Sequence, residues 1–333
     1  MASAPARAKL SYLNLIGSGL SLLERLTLEE ALLRHDPLKR CWAIAGSHDP
    51  IHGSRIRIID DNIANSSPRY QSCAIVLGLG GKPEQLVNLN ETKRDNVLMI
   101  KRFSGGGTVV VDHDSLLTTF IGRTDALPDV QPYPREIMQW SSDAIFGPVF
   151  ESLKADVLKN GSSDACGDFP KKKTLVMHGK SCGLNDYRQL TTSNNAAPIH
   201  VPDFELREND YVLGVKKMGG NAQSIVKGGW LHHTSFLWDY VDDHMQYLTL
   251  PNKRPDYRGD RSHDDFLVKL KSYYGSLDNG KKIFFDRFKE ATENTFHVEE
   301  VSLKEVIGLV DEELGGMQTW FDGKCRTRII EHG

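Results

Sequence analysis

Three consecutive glycines between β-type residues constrain this chain more than any other feature of its sequence. Residues 100–112 read Ile-Lys-Arg-Phe-Ser-Gly-Gly-Gly-Thr-Val-Val-Val-Asp. Glycines inside a strand pattern are costly, because each loses more backbone freedom on folding than another residue would. A hairpin turn without a ligand explains one or two of them, but three beside Lys101 and Arg102 fit poorly. We therefore predict a phosphate site, in which bare backbone N–H groups and the Arg102 guanidinium bind phosphate oxygens.

Two common phosphate-binding motifs do not match. A Walker loop ends in Gly-Lys-Ser or Gly-Lys-Thr, whereas Gly81 and its lysine are followed by Pro83, and Val76 stands where the first glycine belongs. A dinucleotide fingerprint that begins at Gly105 would need a third glycine where the chain has Val110. Both motif classes are therefore poor explanations of the glycines.

Composition excludes several function classes. With 39% hydrophobic residues, 26% charged residues and a net charge of −3, the chain lacks the basic excess of a nucleic-acid-binding protein. No apolar run is long enough to span a bilayer. The five cysteines are widely spaced, which predicts a reducing compartment. The first 23 residues carry Arg7 and Lys9 but no acidic residue, so a mitochondrial transit peptide and a plain cytoplasmic extension both remain open.

The distribution of patterns predicts an α+β protein with two regions. Residues 1–250 read as one catalytic domain, interrupted by a flexible insertion at 158–205, and residues 251–333 as a small, mostly helical C-terminal region. Strands are expected at 41–45, 73–79, 97–103, 108–111, 116–121, 211–215 and 233–240. Helices are expected at 22–33, with a start at 22 or at a Thr27–Glu30 capping box, and at 135–154, with a kink or break at Gly147-Pro148.

A second segment, residues 208–223, has the same character as the first. Here a strand is expected to deliver Lys217 into a turn at Gly219-Gly220. A lysine placed between a phosphate and a carboxylate neutralises both and brings two anions within reaction distance. A hairpin whose lysines face water is the other interpretation, and it suits Lys216, which alternates with Lys217 across the strand.

Together these motifs resemble lipoate–protein ligases of the A type. Residues 101–109 resemble their Arg-Arg-x-Ser-Gly-Gly-Gly-Ala-Val signature, and residues 217–223 resemble their Lys-x-Ser-Gly-x-Ala motif. Residues 230–237 resemble a His-His-Gly-Thr-Leu-Leu strand, and residues 26–33 an Asn-Leu-Ala-x-Glu-Glu helix. Val76-Leu77-Gly78 with Asn88 resembles the stretch that precedes the glycines. The similarity covers about residues 20–245 in the right order.

The resemblance implies the fold of biotin and lipoate ligases, a mixed, largely antiparallel sheet flanked by helices. It also implies a two-step reaction with ATP, Mg²⁺ and lipoate or octanoate. The acid forms acyl-AMP, and a lysine of a lipoyl carrier domain then attacks the mixed anhydride. The expected carriers belong to 2-oxoacid dehydrogenase complexes or are the H protein of the glycine-cleavage system. We expect the ligase to be a monomer.

The resemblance also implies residue roles. Arg102 would hold phosphate, and Lys217 would contact both the lipoate carboxylate and the α-phosphate. Asn209 and Asp210 match an Asn-Asp pair near the site, and Asp210 would contact magnesium or adenylate. The nucleotide would be lined by four consecutive residues: Gly107, Thr108, Val109 and Val110.

Lipoate is an apolar tail on a carboxylate, so its expected contacts are mainly apolar. Gly105, Gly106, Val76 and Leu77 are the residues we assign to it besides Lys217. For either aliphatic side chain, an ordinary place in the core explains the sequence equally well.

The chain departs from the family pattern at several positions. Val111 stands where the family has histidine, Thr108 replaces alanine, and Gly219 replaces serine. A lipoyl or octanoyl transferase that works through a cysteine thioester is one alternative, with Cys182 as its only candidate nucleophile. A biotin–protein ligase and a non-catalytic carrier-binding protein are further alternatives.

Overall fold

The computed structural model describes residues 7–48, 73–163, 200–250 and 254–332. Cys182 and most of the predicted insertion at 158–205 lie outside these ranges. Within them, no helix combines the length and the apolar character needed to cross a membrane.

Two sheets and their flanking helices make up the described chain. The strands are β1 (Lys9–Asn14), β2 (Cys41–Ser47), β3 (Cys73–Leu77), β4 (Leu98–Lys101), β5 (Val109–Asp112), β6 (Ser115–Arg123), β7 (Phe204–Arg207), β8 (Asp210–Leu213), β9 (Lys216–Val226), β10 (Gly229–Leu237), β11 (His297–Val301) and β12 (Arg328–Ile330). The helices are α1 (Leu22–His35), α2 (Pro83–Leu86), α3 (Leu89–Arg94), α4 (Pro134–Ser141), α5 (Gly147–Ser163), α6 (His263–Phe266), α7 (Lys271–Tyr274), α8 (Gly280–Thr295), α9 (Leu303–Leu314) and α10 (Met317–Asp322). Single 3₁₀ turns cover Asp242–Tyr247 and Asp256–Arg258.

The strands form one sheet of eight, in the order β11-β1-β2-β6-β10-β9-β8-β7, and one of four, in the order β12-β4-β3-β5. Three pairs are parallel, β1 with β11, β1 with β2 and β3 with β4, and the other pairs are antiparallel. The predicted α+β class and the mixed, largely antiparallel sheet are therefore confirmed.

The two sheets sandwich an inner apolar cluster, and two further layers cover their outer faces. The inner cluster joins α1, one face of the large sheet and one face of the small sheet, including Leu26, Trp42, Val76, Phe103 and Leu231. Helices α4, α5 and α8 cover the far face of the large sheet. An outer cluster on the far face of the small sheet includes Ile75, Leu77, Val110 and Tyr247.

Helix α1 begins at the first of its two expected starts. Ser21 caps the helix, and its hydroxyl accepts from the Glu24 N–H while the Glu24 carboxylate accepts from the Ser21 N–H. The alternative start at Thr27 is wrong. The Thr27 hydroxyl donates to the Leu23 carbonyl from inside the helix, so it caps nothing.

The long helix expected at 135–154 is divided, as the Gly147-Pro148 pair predicted. A π-helical turn, Ser142–Phe146, separates α4 from α5, and the Gly147 N–H bonds to the Ser142 carbonyl. Pro148 has no N–H for the Ala144 carbonyl one turn earlier, and the Thr295 hydroxyl donates to that carbonyl instead.

The turn expected at Gly219-Gly220 is wrong. Both glycines lie inside β9, and the chain turns earlier, at Gly214, whose φ is 60°. Packing rather than bending requires the first glycine, because a Cβ on Gly219 would lie 2.9 Å from the Phe236 ring.

The C-terminal region is mostly helical, as predicted, and its strands join both sheets. Strand β11 pairs with β1 in the large sheet, and β12 pairs with β4 in the small one. Phe284 and Phe288 of α8 lie in the core below the large sheet, and Trp320 lies in the inner cluster. The domain boundary at residue 250 remains a prediction.

Candidate functional site

Arg102 shapes the glycine-rich loop, residues 103–108, from the inside. Its side chain is buried, and one terminal nitrogen donates to the carbonyls of Gly105 and Gly107, both at 2.7 Å. The other donates to the Val76 carbonyl at 3.2 Å. Burial lowers the pKa of Arg102 to about 10, so the guanidinium stays charged at neutral pH. Arg102 therefore orders the loop through its carbonyls, and its contact with a phosphate remains a prediction.

The loop rests directly on strand β9. The Gly105 N–H donates to the Gln223 carbonyl at 2.8 Å. Gly106 has a φ of 91°, and a Cβ there would lie 2.9 Å from the Asn221 carbonyl oxygen and 3.2 Å from the Cα of Ala222. Only glycine allows this approach, whereas a Cβ on Gly107 would meet nothing within 4 Å. The last two glycines of the loop are exposed, and Gly106 lies directly against β9.

Lys217, the second residue of the same strand, pairs with a buried carboxylate. Its ammonium lies 2.7 Å from Oδ1 of Asp210, while the Tyr257 hydroxyl donates to Oδ2 at 2.9 Å. Burial, and then the nearby Asp210 carboxylate, raise the pKa of Tyr257, so this hydroxyl keeps its proton. The lysine side chain is 27% exposed, which leaves its amine within reach of a ligand.

A β-bulge turns Lys217 toward the loop. In the pairing of β8 with β9, Val212 lies opposite Lys217 and Tyr211 opposite Gly219, so Met218 is the extra residue. Without it, positions 217 and 220 would point to opposite faces. With it, the Lys217 amine lies 3.5 Å from where a Gly220 Cβ would stand.

The lysine and the loop therefore share one face of β9. Gly220 and Ala222 are two residues apart in a strand and point the same way. The Lys217 amine lies over Gly220, and Gly106 lies against Ala222. The two segments that the sequence singles out thus meet, as the hypothesis of a joint site requires.

His233 connects this face to helix α1. One ring nitrogen is 3.1 Å from the Ser104 hydroxyl of the loop, and the other is 2.8 Å from the Glu29 carboxylate. Glu29 also accepts from Arg25 at 2.9 Å and from the Thr119 hydroxyl at 2.8 Å. Burial acts to raise the pKa of Glu29, but Arg25 and then His233 outweigh it and lower the pKa to about 2. A buried, ionised carboxylate therefore anchors the histidine that holds the loop.

His232 points to the opposite face, as strand alternation predicts. It contacts Gln223 at 3.0 Å, Ser141 at 3.0 Å and Thr234 at 3.2 Å beneath the sheet. Burial lowers the pKa of His232 to about 3, so the ring is neutral and part of the core. Of the two histidines, His233 alone faces the loop.

The remaining residues assigned from the sequence are dispersed. Val76 belongs to the inner cluster, but Leu77 belongs to the outer cluster, so its side chain points away from the loop and β9. Side chains alternate between the two faces of a strand in the same way in β5, so Val109 packs against the inner cluster and Val110 belongs to the outer cluster. Asn209 is exposed, and its carbonyl accepts from the Asn221 amide at 3.2 Å.

The described residues do not fit a resident metal ion. They contain no group of three or more His, Cys, Asp or Glu side chains arranged as ligands. Both oxygens of Asp210 are already engaged, by Lys217 and Tyr257. Asp210 therefore does not fit the role of magnesium ligand that the resemblance implied.

Sequence reasoning missed two site residues, Glu29 and Tyr257. A signal existed for Glu29, because a Glu-Glu pair within the apolar face of α1 needs buried partners. The sequence around Tyr257 gives no such signal, because Tyr257 contacts Asp210 only once the chain after β10 has folded back to it.

Comparison with known proteins gives a family match and a relative of similar sequence. The family model of the lipoyl protein ligase A/B catalytic domain matches residues 69–297, more than half of the chain. The chain is 28% identical over 202 residues to a Plasmodium falciparum (isolate 3D7) protein named inactive lipoate–protein ligase 2. That match covers 59% of this chain and 47% of the relative, so the chain spans about half the relative's length.

Three solved structures have a similar fold. P. falciparum LipL1 in complex with lipoate gives a TM-score of 0.52 at 15% identity, over 94% of this chain and 71% of that one. A lipoate-protein ligase A bound with ATP gives a TM-score of 0.51 at 14% identity, over 92% of this chain and 93% of that one. A bipartite lipoate protein ligase from Thermoplasma acidophilum, described with its E2 lipoyl domain, gives a TM-score of 0.51 at 15% identity. The match covers 94% of this chain and 97% of that one. At these identities the likeness concerns the fold.

Proposed function

Because the chain belongs to the lipoyl protein ligase A/B catalytic-domain family, we propose that it is an ATP-dependent lipoate–protein ligase. It would activate lipoate, or octanoate, to acyl-AMP and transfer the acyl group to a lysine of a lipoyl carrier domain. The observation that carries this proposal is the meeting of the glycine-rich loop and the Lys217 amine on one face of β9.

Activation requires two anions to approach each other. A carboxylate and a phosphate oxygen 4 Å apart repel by about 4 kcal/mol at an effective dielectric constant near 20. The Lys217 ammonium would lie between them, and the exposed loop backbone at Gly106 and Gly107 would bind phosphate oxygens. The protein would thus act by neutralising and positioning charge, with little acid–base chemistry.

Asp210 has a supporting part in this scheme. Its carboxylate holds the Lys217 amine over Gly220 before substrate arrives. When the substrate anions take the amine, the Tyr257 hydroxyl still donates to Asp210, so the buried carboxylate keeps one partner. The lysine can therefore exchange partners while the buried carboxylate keeps a hydrogen-bond donor.

The second step would be attack of a carrier-domain lysine on the acyl-AMP, with AMP as leaving group. The T. acidophilum ligase described with its E2 lipoyl domain supports such a carrier as partner. The name of the P. falciparum relative makes activity itself the first point to test.

Mass spectrometry of acyl-adenylate provides the test. The protein is incubated with ATP, magnesium and either lipoate, octanoate or biotin, and lipoyl-AMP is expected as the main product. Lys217→Ala should lower its rate of formation by about 10²- to 10³-fold, the usual effect of removing one group that stabilises transition-state charge. Lys216→Ala is the matched control and should retain activity.

Three outcomes would contradict the proposal in whole or in part. Unchanged turnover in Lys217→Ala would exclude the role of the lysine. Absence of acyl-AMP in the wild type, together with transfer from synthetic lipoyl-AMP, would exclude ATP-dependent activation. A main product of biotinyl-AMP would replace lipoate by biotin.

The thioester alternative has no support from two of the cysteines in the described residues. Burial, and then Glu30, raise the pKa of the Cys325 thiol to about 12, and burial raises that of Cys41. An activated nucleophilic cysteine has the opposite shift. Cys182→Ala should leave ATP-dependent ligation unchanged, and its inactivation would favour the thioester route.

A further inference from the structure

Arg258 is a buried arginine that forms no ion pair with any residue the structure describes. Four arginines are buried in the described residues: Arg25, Arg102, Arg123 and Arg258. Each of the first three donates from its terminal nitrogens to at least two backbone carbonyls, and Arg25, whose Nη1 also lacks a hydrogen-bond partner, pairs with Glu29. Arg258 is 6% exposed, and its one side-chain hydrogen bond within the described chain runs from Nε to the Arg261 carbonyl at 3.3 Å. Its Nη2 is buried without a partner.

The local structure holds this guanidinium in place. Arg258 ends the 3₁₀ turn, and Gly259, with a φ of 58°, reverses the chain. Arg261 then locks the turn by donating to the carbonyls of Arg258 and Val215, each at 3.0 Å. The Arg258 guanidinium lies 4.7 Å from the centre of the Phe266 ring, which fixes its plane. Arg261 thus has a structural role in the turn, whereas Arg258 keeps hydrogen-bond donors without acceptors.

Arg258 lies in a cationic neighbourhood next to the site. Burial, and then Arg254, lower the pKa of Arg258, and Asp210 acts the other way. Burial, and then Arg258, also lower the pKa of His263; Lys217 adds to the lowering and the exposed Asp264 opposes it. The one buried carboxylate in this neighbourhood, Asp210, already serves Lys217 and Tyr257. A buried unpaired cation is costly, and an incoming anion would relieve that cost.

The position of Arg258 relative to Lys217 indicates which anion this is. The segment around Arg258 contacts Glu208, Asp210, Val215 and Lys217. The glycine-rich loop contacts the other part of β9, at residues 221–223. Lys217 therefore lies between the loop and the Arg258 turn.

We propose that Arg258 binds the β- and γ-phosphates of ATP and stabilises pyrophosphate as it leaves, an inference that rests on the proposed function. The carboxylate oxygen of the acid forms a bond to the α-phosphorus. The bond from that phosphorus to the bridging oxygen breaks, and its electron pair goes to pyrophosphate. The attacking carboxylate oxygen and the leaving bridging oxygen lie on opposite sides of the α-phosphorus. If the acid binds on the loop side of Lys217, pyrophosphate therefore leaves on the Arg258 side.

Pyrophosphate binding, measured by isothermal titration calorimetry on the full chain without lipoate, tests this role. Arg258→Gln should lower the affinity for pyrophosphate and for ATP at least tenfold, whereas the affinity for AMP should stay within twofold of that of the wild type. Arg258→Lys keeps the positive charge but loses the planar, forked donors of the guanidinium, so it should lower the affinity for pyrophosphate and for ATP several-fold. The matched control is Arg254→Gln, because Arg254 lies on the same segment and pairs with the exposed Asp260.

Each result decides the proposal. Wild-type affinity for pyrophosphate in Arg258→Gln, or an equal loss in Arg254→Gln, overturns it. If Arg258→Gln fails to fold, Arg258→Lys decides, and unchanged affinity in that variant overturns the proposal. Acyl-AMP formation is measured separately. A wild type that binds pyrophosphate through Arg258 but forms no acyl-AMP would refute the ligase function and leave this anion site standing.

Discussion

The side chains beneath the glycine-rich loop depend on one another. Arg25, Glu29, His233 and Ser104 form a continuous chain from helix α1 to the loop. The carboxylate is the essential link, because it is wholly buried and pairs with both the arginine and the histidine. Removing its charge leaves Arg25 buried without its ion pair, which is more damaging than the loss of one hydrogen bond.

Glu29→Gln should therefore destabilise the protein by about 3 kcal/mol at pH 7, the lower end of the range for breaking a buried ion pair. The folded-state pKa of Glu29, about 2, lies below its usual value. Its stabilising effect is therefore complete above about pH 5 and lost as the pH falls toward 2. Urea unfolding of both proteins at pH 7, 4 and 3 measures the difference, which should shrink with acid. A difference independent of pH would contradict the ionised state.

The last two glycines of the loop have different functions. Gly106→Ala should destabilise the protein by about 1–3 kcal/mol, because its φ is 91° and a Cβ would strike the Asn221 carbonyl. Gly107→Ala should leave stability within about 0.5 kcal/mol, since nothing lies within 4 Å of the new Cβ.

If Gly107 also lines the nucleotide, Gly107→Ala should raise the KM for ATP while the melting temperature stays unchanged. Thermal unfolding and ATP-dependent kinetics of the two variants separate packing from binding. Equal destabilisation of both would show that the loop does not rest on β9 in this way.

Strand β9 is the element that assembles the site. It receives the glycine-rich loop at residues 221–223 and carries Lys217 at its start. The extra residue Met218 changes which face Lys217 occupies, so one irregularity in pairing decides whether the amine meets the loop. Peripheral elements hold the loop's own strands in place, and the 3₁₀ turn Asp242–Tyr247 is one of them.

This turn is attached to β5 through a charged histidine. Nδ1 of His244 lies 3.5 Å from the Asp112 carboxylate, and this carboxylate, followed by Cys73, raises the pKa of His244 to about 9. The added stability is therefore complete below about pH 6.5 and lost as the pH rises through 9. His244→Gln should be less stable than the wild type at pH 6, and the two should converge at pH 9.5. Chemical unfolding checks this, with His297→Gln on exposed β11 as a control that shows no such trend.

The molecule is closed by its C-terminal residues. The Glu30 carboxylate of α1, which has no solvent exposure, accepts from the backbone N–H groups of Arg326 and Thr327 at 2.9 Å and 3.1 Å. Helices α9 and α10 add Val306 and Trp320 to the inner cluster. The core beneath the site is therefore completed by residues from both ends of the described chain.

Removal of residues 302–333 should abolish stable folding. The buried side chains lost would include four large apolar ones, those of Val306, Val310, Met317 and Trp320, each worth about 1.5–3 kcal/mol. Their sum is comparable with the whole stability of an ordinary domain, about 5–15 kcal/mol. Near-UV circular dichroism and thermal unfolding of the truncated chain should show no cooperative transition. A sharp transition in that chain would show that the N-terminal part folds independently.

Much of the fold was predictable because its signals are local. The β-type runs at 41–45 and 116–121 became β2 and β6, and the break at Gly147-Pro148 lies where proline denies Ala144 its donor. The error at Gly219 has an equally clear cause. A glycine that makes room for a ring on the neighbouring strand has the same sequence signature as a glycine in a turn.

Local patterns along the chain were enough to indicate the α+β class and the two segments with unusual chemistry, and the resemblance of those segments to a family implied the sheet type. Which face each of those segments occupies depends on long-range packing. A bulge at Met218 redirects Lys217, alternation turns Leu77 outward, and Arg258 reaches the site from a distant turn. Such placements arise because a side chain's neighbours are set by strand register and by contacts between residues far apart in sequence, and no local pattern encodes them.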